Sequence, residues 1–246
     1  YIDAGFQFAV QGGVKALPLI TDPLMMYWNT SMFSAAGLLN PPRNWTELAQ
    51  WTNKIARKKD NGNIERAYVA LGEYTNVDYA KRILFTLLGQ VGVQIGYYNP
   101  QMSAYSSGLL TSAEDGGERT RSVFTYYTEF ANPVKSSYSW NRSFASSREA
   151  FLAGDLALYF GPGSEIEYMR SRNPNLTFRV APVPQENPDR KIVHGKTYAL
   201  GFLVTSKNIN ASIAELTEYL TTKEVSVALA TAMNTAPARR DALSGS

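Results

Sequence analysis

The stretch from Lys15 to Asn29, KALPLITDPLMMYWN, constrains the fold more than any other part of the chain. It reads as an apolar strand from Ala16 to Ile20, a polar break at Thr21-Asp22-Pro23, and a second apolar and aromatic strand from Leu24 to Trp28. Pro23 has no N–H to give to a ladder, so the chain is expected to leave one sheet there and enter another. An acid and two large aromatics flank that crossing, where a ligand held between two lobes would meet them.

The 246 residues allow one large domain or two smaller ones, and a hydrophobic content of 44% fills a real core. Charged residues make up 18% and form no long like-charge block, which argues against disorder. The net charge of +3, from 24 basic and 21 acidic residues, is too small to argue for a nucleic-acid partner. The densest basic run, Arg57-Lys58-Lys59, reads as a helix end, where cations favour the negative end of the dipole. Absence of Cys excludes thiolate metal sites, disulfides and cysteine nucleophiles. No apolar run approaches the roughly 18 residues that span a bilayer. The anomaly is aromatic: 15 Tyr, 11 Phe and 4 Trp, a content that suits a binding cleft offering flat apolar faces with polar tips.

Taken in order, strand and helix signals alternate. A Gly12-Gly13 turn leads into the opening strand, and a short helix over residues 31–38 stops at Gly37 before Pro41-Pro42. Asn44-Trp45-Thr46-Glu47 is a capping box that opens a helix carrying Leu48, Trp51, Thr52 and Ile55 at helical spacing. A strand over 66–71 ends in the loop Gly72-Glu73-Tyr74-Thr75-Asn76, and loops at the carboxyl ends of strands are where open α/β sheets bind ligands. Helices are predicted over 78–90 and 114–131, with a hairpin between them, and a Ser, Tyr and Trp loop covers 133–143. A helix over 146–153 and a buried strand over 156–160 follow, then a second capping box at Ser164 and Glu167 for a helix to Arg172. A strand over 178–181, a Pro-rich loop, an apolar strand over 198–205 and helices over 211–221 and 224–233 complete the pattern. Alternation of this kind is the mark of an α/β fold, and no internal repeat is present.

The order Ala16-Leu17-Pro18, Tyr27-Trp28-Asn29, Phe33, Ala36-Gly37-Leu38, Pro41-Pro42 and Trp45-Thr46-Glu47-Leu48 resembles the middle of extracellular solute-binding proteins of the sugar-binding type, the group that includes maltose-binding protein. Ala150-Phe151 with Gly154 and Ala157, then Phe160-Gly161-Pro162-Gly163, Ala181-Pro182-Val183-Pro184 and Ala236-Pro237-Ala238-Arg239-Arg240, resemble later segments of that family in family order. The resemblance covers nearly the whole chain and implies a periplasmic-binding-protein-like α/β fold of two lobes. Family members are longer at both ends, so one lobe is expected to be essentially complete and the other partial. The implied division is 1–23 in the first lobe, 24–196 in the second, and 197–246 returning to the first.

The resemblance further implies non-catalytic binding of a mono- or oligosaccharide in an interlobe cleft by a monomer with no cofactor and no metal. Delivery to the membrane permease of an ABC importer is expected, from the periplasm or from a lipid-anchored position at the cell surface. A sugar needs aromatic faces for its C–H surfaces and polar partners for its hydroxyls. Asp22 matches an acidic sugar ligand of relatives, and equally suits a turn-forming Asp before Pro. Glu73 and Tyr74 match a ligand-contributing segment. Trp140, in a polar loop, is a stacking candidate or a loop anchor, and Tyr198 sits at the return crossing. Gly163 and Ser164 occupy the position where several relatives place a stacking Trp; here a helix N-terminus remains, whose free N–H groups suit a hydroxyl or an anion, while capping alone also explains Ser164. Tyr27 and Trp28 alternate along a strand, so at most one faces the cleft. His194, the lone histidine, reads as a satisfied loop residue.

Two other classes stay open. Asp22 with Glu73 or Glu165 would serve as the carboxylate pair of a glycosidase, although no metal, phosphate-loop or nucleophile-base motif accompanies them. The same fold also serves as a protein-interaction module, which an exposed apolar patch above a few hundred Å² would favour.

Overall fold

A computed structural model describes residues 1–10, 13–109, 117–203, 205 and 209–243. Two short paired strands, β1 (Ala9–Val10) and β2 (Gly13–Val14), precede the element that organises the chain, β3 (Leu17–Asn29). Gly12 of the expected opening turn lies outside the described residues. In β3, Pro18, Ile20, Asp22, Leu24 and Met26 are buried while the intervening side chains are half-buried, the period-2 alternation of a pleated strand. The expected break at Thr21-Asp22-Pro23 is corrected: β3 runs unbroken for 13 residues. Its neighbour changes instead. Pairing with β10 (Gly195–Leu200) ends at Gly195 opposite Pro23, and pairing with β9 (Phe178–Pro182) begins at Met25 opposite Pro182. Pro23, without an N–H, stands at this changeover.

Local chemistry explains most of the boundaries. Asn29 Oδ1 accepts from Met32 N at 3.0 Å and caps α1 (Thr30–Ala35). Asn44 Oδ1 accepts from Glu47 N at 2.8 Å and opens α2 (Trp45–Gln50), while the Glu47 carboxylate accepts from Arg43 N at 2.7 Å, one residue beyond the reciprocal bond expected. After α3 (Thr52–Ile55), Ala56 turns extended and the basic run does not close a helix. Arg57–Lys58 is strand β4, paired antiparallel with β5 (Ile64–Val69), so the dipole reading of that run is corrected. Then come α4 (Ala80–Gln90), a hairpin of β6 (Gly96–Asn99) and β7 (Ala104–Ser107), and α5 (Glu118–Glu129). The expected start of that last helix at Glu114 lies outside the described residues. Ser146 caps α6 (Ser147–Ala153), Gly154 ends it at a φ of 84°, and β8 (Leu156–Pro162) is buried along its whole length. A 3-10 turn (Gly163–Glu165) leads into α7 (Ile166–Arg172). After β9 and β10 come α8 (Ile209–Leu220), α9 (Lys223–Ala232), β11 (Ala236–Pro237) and α10 (Arg240–Leu243). β10 begins at Gly195 and ends at Leu200, earlier at both ends than the strand expected over 198–205, whose residue 204 is outside the described set.

The chain divides into two compact units, one of residues 1–23, 162–168 and 195–246, the other of residues 24–161 and 169–194. Residues 162–168 were expected within the second lobe and belong to the first unit, because their turn is bonded to Asp22. In the larger unit β9 and β8 flank the C-terminal half of β3, and β5 and β4 follow. β5 and β8 are parallel, with Ala67 opposite Leu156 and Val69 opposite Leu158, and such strands bury both faces. Tyr27 is fully buried and packs its ring 5.6 Å from Tyr159 and 6.3 Å from Phe151; Trp28 is 6% exposed and packs on Phe33. Both are therefore core residues. In the smaller unit β10 and β11 pair with the N-terminal half of β3, and Ala238 N donates to Leu19 O at 3.0 Å.

Buried Ser139 closes the β5 ladder: its Oγ accepts from Tyr68 N at 3.0 Å and Val69 N at 2.8 Å and donates to Val69 O at 3.0 Å. Ser139→Ala strands these groups away from water and is expected to lower unfolding free energy by roughly 2–4 kcal/mol. Urea unfolding monitored by circular dichroism measures it, and a loss within about 0.5 kcal/mol, the range of an ordinary surface substitution, would contradict the assignment.

Candidate functional site

In the smaller unit the candidate residues gather around Asp22. Its side chain is 4% exposed, with Oδ1 accepting from Ser164 N at 3.1 Å and Oδ2 accepting from Ser164 Oγ at 2.8 Å. A buried carboxylate has to be met by donors, and the turn at Gly163–Ser164 supplies two. Two expectations are corrected together. Asp22 is not an open acid, and Ser164 is not the acceptor at this turn: the N–H expected to be free for a ligand is taken by Asp22. Across the ladder, Lys196 stands opposite Asp22 and Tyr198 opposite Ile20, and directly opposed residues of antiparallel strands share a face. Tyr198 is 38% exposed, and Lys196 Nζ lies 4.5 Å from its ring centre. Gly195 allows the close pairing, since a Cβ there would sit 3.3 Å from Thr21 Oγ1 and 3.4 Å from Pro23 Cα.

In the larger unit, Glu73 and Tyr74 lie in the loop after β5. The turn into this loop needs glycine at residue 72, whose φ is 93° and whose Cβ would fall 2.6 Å from Ala131 N. The Glu73 carboxylate accepts from Arg142 Nε at 2.8 Å; its side chain is 16% exposed, against 79% for Arg142. Tyr127 Oη donates to Glu73 O at 2.7 Å, and burial, then the Glu73 charge, pushes the Tyr127 phenol well above its usual range. Tyr74 remains open, at 67% exposure.

Of the two readings of Trp140, stacking residue or loop anchor, the structure agrees with the anchor. The Trp140 side chain is fully buried, stacks on Phe144 at 4.6 Å and donates from Nε1 to Asn76 Oδ1 at 3.0 Å. Asn76 in turn donates from Nδ2 to Asn141 O at 3.0 Å and Phe144 O at 3.2 Å. Trp140 thus anchors one loop to the other and offers no face to a ligand. Arg142 was not singled out in the sequence, where nothing local marks it, and Asn76 was marked only as the end of the loop after β5.

His194 is held by its backbone: its N–H donates to Thr86 Oγ1 at 3.1 Å and its carbonyl accepts from Leu24 N at 2.9 Å. Its ring packs 5.5 Å from that of Phe85, yet Nδ1 is buried with no hydrogen-bond partner among the described residues, so the expectation of a satisfied residue is corrected. Burial first, then the charges of Arg82 and Lys81, lower its pKa. Among the described residues no group of His, Asp or Glu is placed to hold a metal ion.

The fold so described is the α/β fold of two-lobe periplasmic binding proteins. The family profile of the bacterial extracellular solute-binding protein matches residues 2–245, and the chain belongs to that family. A curated binding protein of Brucella abortus (strain 2308) is 23% identical over 203 residues, which are 81% of this chain and 44% of that protein. Among solved structures, mannobiose-bound CpMnBP1 matches with a TM-score of 0.66 at 19% identity, covering all of this chain and 60% of that one. Maltose-bound MalE3 of T. maritima matches at 0.66 and 16% identity, over 98% of this chain and 59% of that one. UgpB of Mycobacterium tuberculosis, in complex with glycerophosphocholine, matches at 0.68 and 15% identity, over all of this chain and 57% of that one. The chain spans under half the length of the curated relative and about three-fifths of these structures. At these identities the structural likeness is one of fold.

His194 makes a pH prediction. With its folded pKa below the ordinary 6.5, the unfolded chain binds the proton more readily. Its contribution to stability is then present above pH 6.5 and is lost as the pH falls through 6.5 toward the lowered value. It is the single histidine in the sequence, so its imidazole resonance is read without assignment, and the NMR titration midpoint should fall below 6.5; a midpoint at or above that value would contradict the structure.

Proposed function

We propose that this chain carries ligand-binding groups of a non-catalytic carbohydrate-binding protein that passes a mono- or oligosaccharide to the permease of an ABC importer on the extracytoplasmic side of a membrane. The observation that carries this reading is the family match over residues 2–245. The ligands bound to two structural relatives, mannobiose and maltose, support a saccharide. Among the described residues no helix is long and apolar enough to cross a membrane.

The proposed roles follow from exposure and bonding. Tyr198 and Tyr74 offer aromatic surface to the C–H faces of a sugar ring. Ser164 and Gly163 present the turn that Asp22 holds, which makes Asp22 a positioning residue. Glu73, with Arg142 beside it, presents polar groups to hydroxyls. The glycosidase alternative loses support on bonding grounds, because Asp22 is committed to Ser164 and Glu73 to Arg142.

Titration with mannobiose, maltose and their monosaccharides, followed by tryptophan fluorescence and calorimetry, is expected to give saturable binding to at least one, without turnover of a chromogenic glycoside. Tyr198→Ala should weaken that binding roughly 2- to 10-fold, the worth of one aromatic contact. Steady hydrolysis abolished by Asp22→Asn would overturn the non-catalytic reading, and a flat response to every sugar would overturn the carbohydrate.

A further inference from the structure

We infer that the face built by β3 and β10 selects an acidic saccharide, one whose ring bears a carboxylate, with Lys196 as the residue that sets the preference; this rests on the carbohydrate reading above. Neutral sugars are held in large part by acceptors that take their hydroxyl protons, and a carboxylate is the strongest acceptor a protein offers. On this face that role is already filled. Asp22 is buried, and each of its oxygens accepts a bond from Ser164.

Lys196 is the group left over. It stands opposite Asp22 in the ladder, and an ordinary cross-strand pair would bring the two charges together. Instead its ammonium lies 4.5 Å over the Tyr198 ring, and among the described residues no carboxylate pairs with it. The half-exposed face therefore joins an aromatic surface to a cation whose own counter-charge is turned toward a backbone turn. Any pyranose stacking on that face of Tyr198 shifts the ammonium from the ring, and a neutral one gives the cation no charge in return. A uronic acid, in contrast, places its carboxylate on that ammonium while its C–H face lies against the phenol, so the cation and the ring act on one ligand.

Matched pairs of sugars test this: glucose with glucuronate, and cellobiose with cellobiuronate, titrated calorimetrically into the whole chain at low and at raised salt. The acidic member of at least one pair is expected to bind about tenfold tighter at low salt, the worth of one charge-assisted hydrogen bond, with the ratio shrinking as salt rises. Lys196→Met should bring the ratio close to one, and Lys196→Arg should keep most of it. Equal binding of both members, or a preference that survives Lys196→Met, would overturn the inference and leave the carbohydrate reading standing. Absence of binding by all four sugars, where mannobiose or maltose still binds, would overturn the inference and leave the carbohydrate reading standing. Competition by acetate as strong as that of glucuronate would show a simple anion site and also overturn the saccharide selectivity. Circular dichroism of each variant checks that the exposed substitution leaves the fold intact.

Discussion

A carboxylate taken out of water has to be met by donors, and the bond from Asp22 to Ser164 is where this structure meets that demand. Two hydrogen bonds link a strand residue to a turn 142 positions later in the chain. An unmet buried carboxylate would cost several kcal/mol, so the turn at Gly163–Glu165 is not free to sit elsewhere. This is why residues 162–168 belong with the smaller unit although β8, which leads into them, is core to the larger one. The same bond decides chemistry: it withdraws Asp22 from any ligand and leaves Tyr198 and Lys196 as the exposed groups of that face.

The larger unit solves a similar problem with different parts. Its candidate loop after β5 is held from three directions, by the Tyr127 hydroxyl on the Glu73 carbonyl, by Arg142 on the Glu73 carboxylate, and by Asn76 bridging Trp140 and the backbone of the neighbouring loop. Tyr74 projects from a segment fixed in this way, and a side chain that stacks on a ligand loses less entropy when its backbone is already ordered. In each unit, then, the candidate carboxylate makes internal bonds, Asp22 to Ser164 and Glu73 to Arg142. Such an arrangement suits recognition, where groups must be placed, better than catalysis, where an acid or base must remain free to exchange a proton.

What could be read in the sequence was what depends on neighbours in the chain. The cap at Asn44, the helix ending at the Gly154 turn and the alternation of strands and helices are set within a few residues, and they are legible for that reason. The unbroken course of β3 was not legible, because Pro23 sits where the strand changes partner, and the partners β9 and β10 that accommodate it lie more than a hundred residues away. Arg57-Lys58 looked like a helix end until its pairing with β5 was seen. Trp140 sat in a run of polar residues without periodicity, and its burial follows from Asn76 and Phe144, which no pattern connects to it. For the site, residue types were legible and their availability was not. Asp22 was found as the acid at the crossing, but whether it faces a ligand or a turn depends on Ser164.

The central claim is that Asp22 and Ser164 act as one unit, and a double-mutant cycle measures that directly. Unfolding free energies of the parent chain, Asp22→Ala, Ser164→Ala and the double variant would be determined by urea titration under one set of conditions. Because each single substitution breaks the same side-chain bond, the losses should fall short of additivity by about 1 kcal/mol or more. Losses that add within about 0.3 kcal/mol would mean that the two residues do not depend on each other, and would contradict the account.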